Sequence, residues 1–164
     1  MKTLFVVRHA KSSWSDPGLA DIERPLNKRG ERDAPLMGER LADRLVEVDR
    51  IVSSPAARAL STAEAIAAEI DYPYDQIVID DGLYHADAFE ILQIVESFEE
   101  YLDSVMIFGH NPGFTSFVNR FSPYTIDNVP TSSVAEIRFD LELWSGISEA
   151  EPVEFEFDFP KSRR

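Results

Sequence analysis

Leu4-Phe5-Val6-Val7-Arg8-His9 decides the fold. A short apolar run ending in Arg-His reads as a buried parallel strand, Lys2–Val7, that delivers two phosphate-competent side chains to its C-terminal end. In open α/β sheets that edge is where ligands bind. A second such run, Val105-Met106-Ile107-Phe108, is followed by His110. The chain has three histidines, His9, His85 and His110, and two of them at strand ends point to a site rather than to scattered core or surface positions.

Outward from this stretch, strands and helices alternate. Arg8–Pro25 reads as a polar loop. Asn27 is placed to cap a helix running to about Val46, with Met37, Leu41 and Leu45 on one face. Arg50–Ser53 is a short strand. Ser54-Pro55 then reads as an N-cap followed by proline at the first helical position, opening a helix to Ile70. Ile77–Ile79 is a third strand, and Asp87 caps a helix that aligns Ala88, Ile91, Leu92 and Val95. Ser104–Phe108 is the fourth strand, and Asn111-Pro112 repeats the cap-plus-proline signal before a helix to about Arg120. The tail changes period. Ser133–Phe139 alternates Ala135, Ile137 and Phe139 against Val134, Glu136 and Arg138. Val153–Phe159 alternates Val153, Phe155, Phe157 and Phe159 against Glu154, Glu156 and Asp158, the pattern of a half-buried strand with a solvated acidic face. The expected architecture is a three-layer α/β/α sandwich, mostly parallel with an antiparallel edge.

With 164 residues, 44% of them hydrophobic, a single domain over residues 1–164 is expected. The net charge of −14 argues against nucleic acid, whose affinity rests on Lys and Arg neutralising phosphates, and against anionic membranes. Without cysteine there is no disulfide framework, thiol nucleophile or cysteine-type zinc site. No apolar run reaches the roughly 18 residues of a membrane span, and the first residues read as strand rather than as a targeting segment. A cytoplasmic protein is the expectation.

Four groups carry the chemistry: Arg8, His9, Arg58 and His110. Arg58 lies on the first turns of the helix after the second strand, so all three segments bring a cation or an imidazole to one sheet edge. Two guanidiniums neutralise phosphoryl oxygens by bidentate bonds. One neutral imidazole can attack phosphorus and a second can donate to the transferring group. Taken singly, each residue has a plainer reading. Arg8 or Arg58 would pair with one of 30 carboxylates, His9 would be a loop histidine, and His110 would turn a strand into a helix. Convergence of all four favours a phosphate pocket. Phosphate loops of the nucleotide folds and a His-Glu-x-x-His metal motif are absent.

On these residues the chain resembles the histidine phosphatase superfamily, with its phosphoglycerate-mutase-like fold, and within it the phosphohistidine phosphatase SixA group. Leu4–Ser12 resembles the family's Arg-His-Gly signature, with Ala10 in place of the glycine. Arg24-Pro25-Leu26-Asn27-Lys28-Arg29-Gly30 resembles the segment opening its first helix. Ser53–Ala63 is similar to its second arginine motif, Gly109-His110-Asn111 to its second histidine, and Thr131–Ala135 to its late strand. The resemblance implies that His9 is a nucleophile forming a phosphohistidine intermediate. Arg8, Arg58 and His110 would hold the phosphoryl group, with no metal and no cofactor. Ser15 stands where longer signatures carry an asparagine that contacts phosphate. Where many members carry a glutamate general acid, Leu83-Tyr84-His85 offers His85, with Asp87 as the alternative; a loop residue and a helix cap are equally good readings of those two. The expected substrate is phosphohistidine on a protein. A small phosphomonoester, or a phosphoprotein-binding module with little turnover, is the alternative. The oligomeric state is not legible.

Overall fold

A computed structural model describes residues 1–162. Its six-stranded sheet is built from β1 (Lys2–Arg8), β2 (Arg50–Ser53), β3 (Val78–Ile79), β4 (Ser104–Gly109), β5 (Val134–Phe139) and β6 (Glu154–Asp158), in the order β3-β2-β4-β1-β5-β6. β1 to β4 run parallel, whereas β5 pairs antiparallel with both β1 and β6. The antiparallel component expected at one edge is therefore the β5–β6 pair. Four helices complete the layers: α1 (Lys28–Asp43), α2 (Ala57–Glu69), α3 (Ala88–Glu96) and α4 (Gly113–Phe121).

Side chains on a strand alternate between the sheet's two faces, and β1 shows why a continuous apolar run was needed. Phe5 and Val7 join Met106 and Phe108 under Met37 and Leu41 of α1 and Ala63, Ile66 and Ala67 of α2. Leu4 and Val6 join Val105 and Ile107 under Ile91, Leu92 and Val95 of α3 and Phe114, Phe117 and Val118 of α4. Both faces are covered, giving the α/β/α sandwich.

Three local expectations are corrected. The first helix stops at Asp43 rather than at Val46: Leu45 takes φ 59° and is 86% exposed, so it leaves the apolar face. Asn27 does cap this helix, its side chain accepting from the Gly30 amide at 2.9 Å. The second helix begins at Ala57, with Ala56 rather than Ser54 at the cap, because the Ser54 hydroxyl is engaged by His110. In β5 the alternation is masked. Val134 and Glu136 are buried along with Ala135, Ile137 and Phe139, since Met37 and Leu41 of α1 pack on Val134 and Arg44 bonds the Glu136 carboxylate.

Candidate active site

Strand register assembles the site. β1 and β4 pair as Arg8 with Gly109, the His9 amide donates to the Gly109 carbonyl at 3.1 Å, and the Ser54 amide donates to the Phe108 carbonyl at 3.0 Å. His9, His110 and Ser54 are thus the first residues past three adjacent parallel strands. The two imidazole centroids lie 5.1 Å apart. Both residues are 7% exposed.

His9 is fixed by its own backbone and by α2. Its Nδ1 lies 2.7 Å from the Ala10 carbonyl oxygen, which can only accept, so Nδ1 carries the proton and Nε2 keeps its lone pair. Burial is the main cause that lowers the His9 pKa to about 4. The Ala10 carbonyl opposes it, and Arg58, Arg8 and Arg24 add to it. The ring is neutral at physiological pH. Thr62 then locks the turn: its hydroxyl accepts from the Ala10 amide at 2.9 Å and donates to the Arg58 carbonyl at 2.7 Å.

The signature loop is clamped by the segment before α1. Arg24 bonds the Ser12 hydroxyl and the Ser13 carbonyl, and the Asn27 amide donates to the Lys11 carbonyl at 2.9 Å. A Cβ on Gly30 would meet that Lys11 oxygen at 2.2 Å, so only glycine allows this approach. That is the physical content of Arg24-Pro25-Leu26-Asn27-Lys28-Arg29-Gly30.

Arg8 donates through Nη1 to the Val129 carbonyl at 2.9 Å, an oxygen that also receives the Asn111 side chain at 3.0 Å. Burial and the neighbouring Arg58 lower its pKa. Arg58 is 6% exposed. It donates from Nη1 to the Asp21 carbonyl at 2.8 Å and from Nη2 to Asp21 Oδ2 at 3.0 Å. Asp21 also takes Arg24 Nη1 on Oδ1 at 3.0 Å and the Tyr84 hydroxyl on Oδ2. The Tyr84 hydroxyl above all, with Arg58 and Arg24, holds the Asp21 carboxyl well below the usual carboxylate range despite some desolvation.

His110 Nε2 and Ser54 Oγ are 2.7 Å apart, and that Oγ also accepts from the Ala56 amide at 3.2 Å. Burial first, then His9 and Arg58, lowers the His110 pKa to about 3, with Asp21 opposing. Tyr84 lies edge-on to His110 at 5.5 Å and packs against His85 with ring centroids 3.9 Å apart and the planes tilted by 42°.

The structure brings Arg8, His9, Arg58 and His110 together at one sheet edge. His85 reaches the margin only: it is exposed, takes φ 61°, and shares with His110 a cavity of about 200 Å³. Asp87 is a helix cap, accepting from the Glu90 amide at 2.8 Å. Ser15 is exposed and bonded to Ser13. Thr62, Asp21 and Tyr84 enter the site without having been singled out, and Ser54 enters it in place of the helix cap expected of it; these residue types carry no signal for the site until the fold brings them together. Among the described residues, the buried side-chain polar atoms without a hydrogen-bond partner are Arg8 Nε, His110 Nδ1, Ser132 Oγ and Ser133 Oγ. Ser132 and Ser133 exchange backbone bonds with Arg8, so this deficit gathers at one sheet edge, where a ligand is expected.

The model of the histidine phosphatase superfamily (branch 1) matches residues 4–116. The chain belongs to that superfamily. An uncharacterized chloroplastic protein of Arabidopsis thaliana is 29% identical over 133 residues, 76% of this chain and 61% of that one. This superfamily member spans about six-tenths of the length of the Arabidopsis thaliana and Mycobacterium tuberculosis relatives it matches. Among solved structures, a protein of Agrobacterium tumefaciens assigned to phosphohistidine phosphatase SixA is 27% identical with a TM-score of 0.78, over 94% of this chain and 97% of that one. A protein of Nakamurella assigned likewise is 25% identical with a TM-score of 0.81, over 98% and 97%. The phosphoglycerate-mutase-like architecture is thus shared. No helix among the described residues is long and apolar enough to cross a membrane.

Proposed function

We propose that this histidine phosphatase hydrolyses phosphohistidine on a protein through a phosphohistidine intermediate at His9, without a metal. The observation that carries the reading is the 2.7 Å contact of His9 Nδ1 with the Ala10 carbonyl, which leaves Nε2 an unprotonated nucleophile beside two guanidiniums. In the first step the Nε2 lone pair forms the N–P bond and the bond to the leaving nitrogen breaks. A substrate ring protonated on its other nitrogen departs as neutral imidazole and needs no further proton. His9 keeps its Nδ1 proton and becomes a phosphorylated imidazolium, stabilised by the Ala10 carbonyl. Water then attacks phosphorus, the N–P electrons return to Nε2, and dihydrogen phosphate leaves. Arg8, Arg58 and His110 hold the phosphoryl oxygens throughout.

The leaving group selects the substrate. An alkoxide leaves poorly without an acid, and the carboxylates here are committed: Asp87 to a helix cap, Asp21 to Arg58 and Arg24. His85 remains as a donor for alkyl phosphates, which keeps a small phosphomonoester phosphatase as the second reading. The two separate in one panel of a phosphohistidine protein, an aryl phosphate and an alkyl phosphate, with and without chelator. Phosphohistidine and aryl phosphate are cleaved fast in both conditions, and alkyl phosphate slowly. His9→Ala abolishes turnover and the acid-labile, base-stable label formed from phosphorylated substrate. A label surviving in that variant removes His9 as nucleophile, and chelator-sensitive turnover removes the metal-free scheme. Alkyl phosphate cleavage that is fast and lost in His85→Ala establishes the second reading.

A further inference from the structure

Asp21 is the one carboxylate bound to the site arginines among the described residues, and the proposed catalytic steps do not use it. It bonds Arg58 through both its carbonyl and its carboxylate, and it is held in place by Arg24 and Tyr84. Its own side chain is 42% exposed while that of Arg58 is 7% exposed. The geometry is therefore a buried cation with one edge occupied by an anion that faces outward. A guanidinium offers five N–H donors. Asp21 takes one from each terminal nitrogen, leaving the remaining donors for a phosphoryl oxygen. Any phosphate bound there has a full negative charge across the same guanidinium, on the solvent side, where the rest of a substrate must lie. That carboxylate stays ionised, because three donors converge on it.

We propose that Asp21 determines specificity: it disfavours substrates with anionic groups beside the phosphate and favours those with a cation there, as on a phosphohistidine peptide flanked by lysine or arginine. This rests on the phosphatase reading for its substrate class, but the electrostatic role is separable from it. Two physical effects follow. The internal anion competes with every phosphate for Arg58, which weakens phosphate binding uniformly. It also repels or attracts the neighbours of that phosphate, which discriminates between substrates. A charge in this half-exposed setting is worth roughly tenfold, between a fully screened surface pair and a buried one.

The test compares wild type, Asp21→Asn and Asp21→Glu. The measurements are kcat/KM on two phosphohistidine peptides that differ only in glutamate or lysine flanks, and calorimetric affinity for orthophosphate. Wild type prefers the lysine-flanked peptide. Asp21→Asn loses about tenfold of that preference and binds orthophosphate about tenfold tighter, and Asp21→Glu, which keeps the charge, retains the preference for the lysine-flanked peptide. An unchanged peptide ratio in Asp21→Asn, with orthophosphate affinity unchanged or weaker, overturns the proposal and makes Asp21 a strut that orients Arg58. If wild type binds orthophosphate but cleaves neither peptide, the substrate assignment fails, and the orthophosphate comparison alone decides whether Asp21 competes for Arg58. Wild type that binds no orthophosphate overturns both.

Discussion

Two arginine clusters lie on this chain in opposite company. At the sheet edge, Arg24 and Arg58 share a single carboxylate, Asp21, while Arg8 beside them donates to a backbone carbonyl. Between α1 and the β5–β6 pair, Arg40, Arg44 and Arg138 meet Glu136, Glu154, Glu156 and Asp158. The second cluster borders the larger cavity, about 300 Å³ against about 200 Å³ beside His110. Size of cavity and number of charges thus single out the second cluster rather than the histidine edge. What separates them is balance. In a chain of net charge −14, a surplus of buried cations is costly unless something else supplies the anion, and the orphaned Arg8 Nε and His110 Nδ1 lie with that surplus. The matched cluster has its counter-charges built in and reads as a structural clasp for the last strand.

The largest way to break this contrast is to remove an arginine from the unbalanced cluster. Arg58→Ala and Arg8→Ala should each lower turnover by roughly 10²–10³, the usual cost of losing a preorganised charged donor in the transition state. Lysine at either position should restore only part of it, since a point charge cannot bind two oxygens in parallel. The fold should survive, read by circular dichroism and thermal unfolding. Full activity in both alanine variants would reduce the edge cluster to ordinary ion pairing.

How much of this was legible beforehand follows from which residues act locally. The run Leu4–Val7 and the run Val105–Phe108 state their burial outright, and every residue in them is buried. The Asn27 and Asp87 caps are also local, and both are made. The left-handed Leu45 was not legible, because apolar spacing carries no information about where the backbone reverses. Ser54 satisfied every rule for a helix cap, yet its hydroxyl is taken by a histidine 56 positions away in the chain. Thr62, Asp21 and Tyr84 are of the same kind: Thr62 meets Ala10 across 52 positions, Asp21 meets Arg58 across 37, and Tyr84 meets Asp21 across 63.

A smaller effect sharpens the electrostatic side of the contrast. Unfolded histidine titrates near 6.5, whereas burial lowers His9 to about 4 and His110 to about 3. Between these values the unfolded chain binds protons that the folded chain does not, so stability rises with pH across that window. It is fully present above about pH 6.5 and is lost as pH falls toward 4 and then 3. Asp21, also lowered, removes further stability below the ordinary carboxylate range. Ring nitrogen shifts by NMR should show both histidines neutral at pH 5.5, and the melting temperature should fall from pH 7 to 4.5 less steeply in His110→Gln than in wild type. Rings titrating near 6.5 would mean that the edge is open to water and that the cations there are screened rather than confined.

The smallest effect belongs to the matched cluster and completes the contrast. Arg44→Ala removes a guanidinium that is 38% exposed from Glu136, which is 11% exposed, and from Glu156, which is 64% exposed. The contact with Glu156 is a surface pair, worth a few tenths of a kcal/mol. That with Glu136 is worth more, because the carboxylate it leaves behind is mostly buried, yet Arg138 stays 3.7 Å away to share the charge. The sum should be about 1 kcal/mol of stability, a drop of roughly 2–4 °C in melting temperature for a chain of this size. Glu156→Gln should cost less than half of that. Turnover and orthophosphate affinity should be unchanged within twofold, since α1 reaches the active site only at its opposite end, where Gly30 meets Lys11. A loss of turnover in Arg44→Ala without a loss of stability would mean that the clasp is coupled to the sheet edge through β5, and that balance of charge is not what divides the two regions.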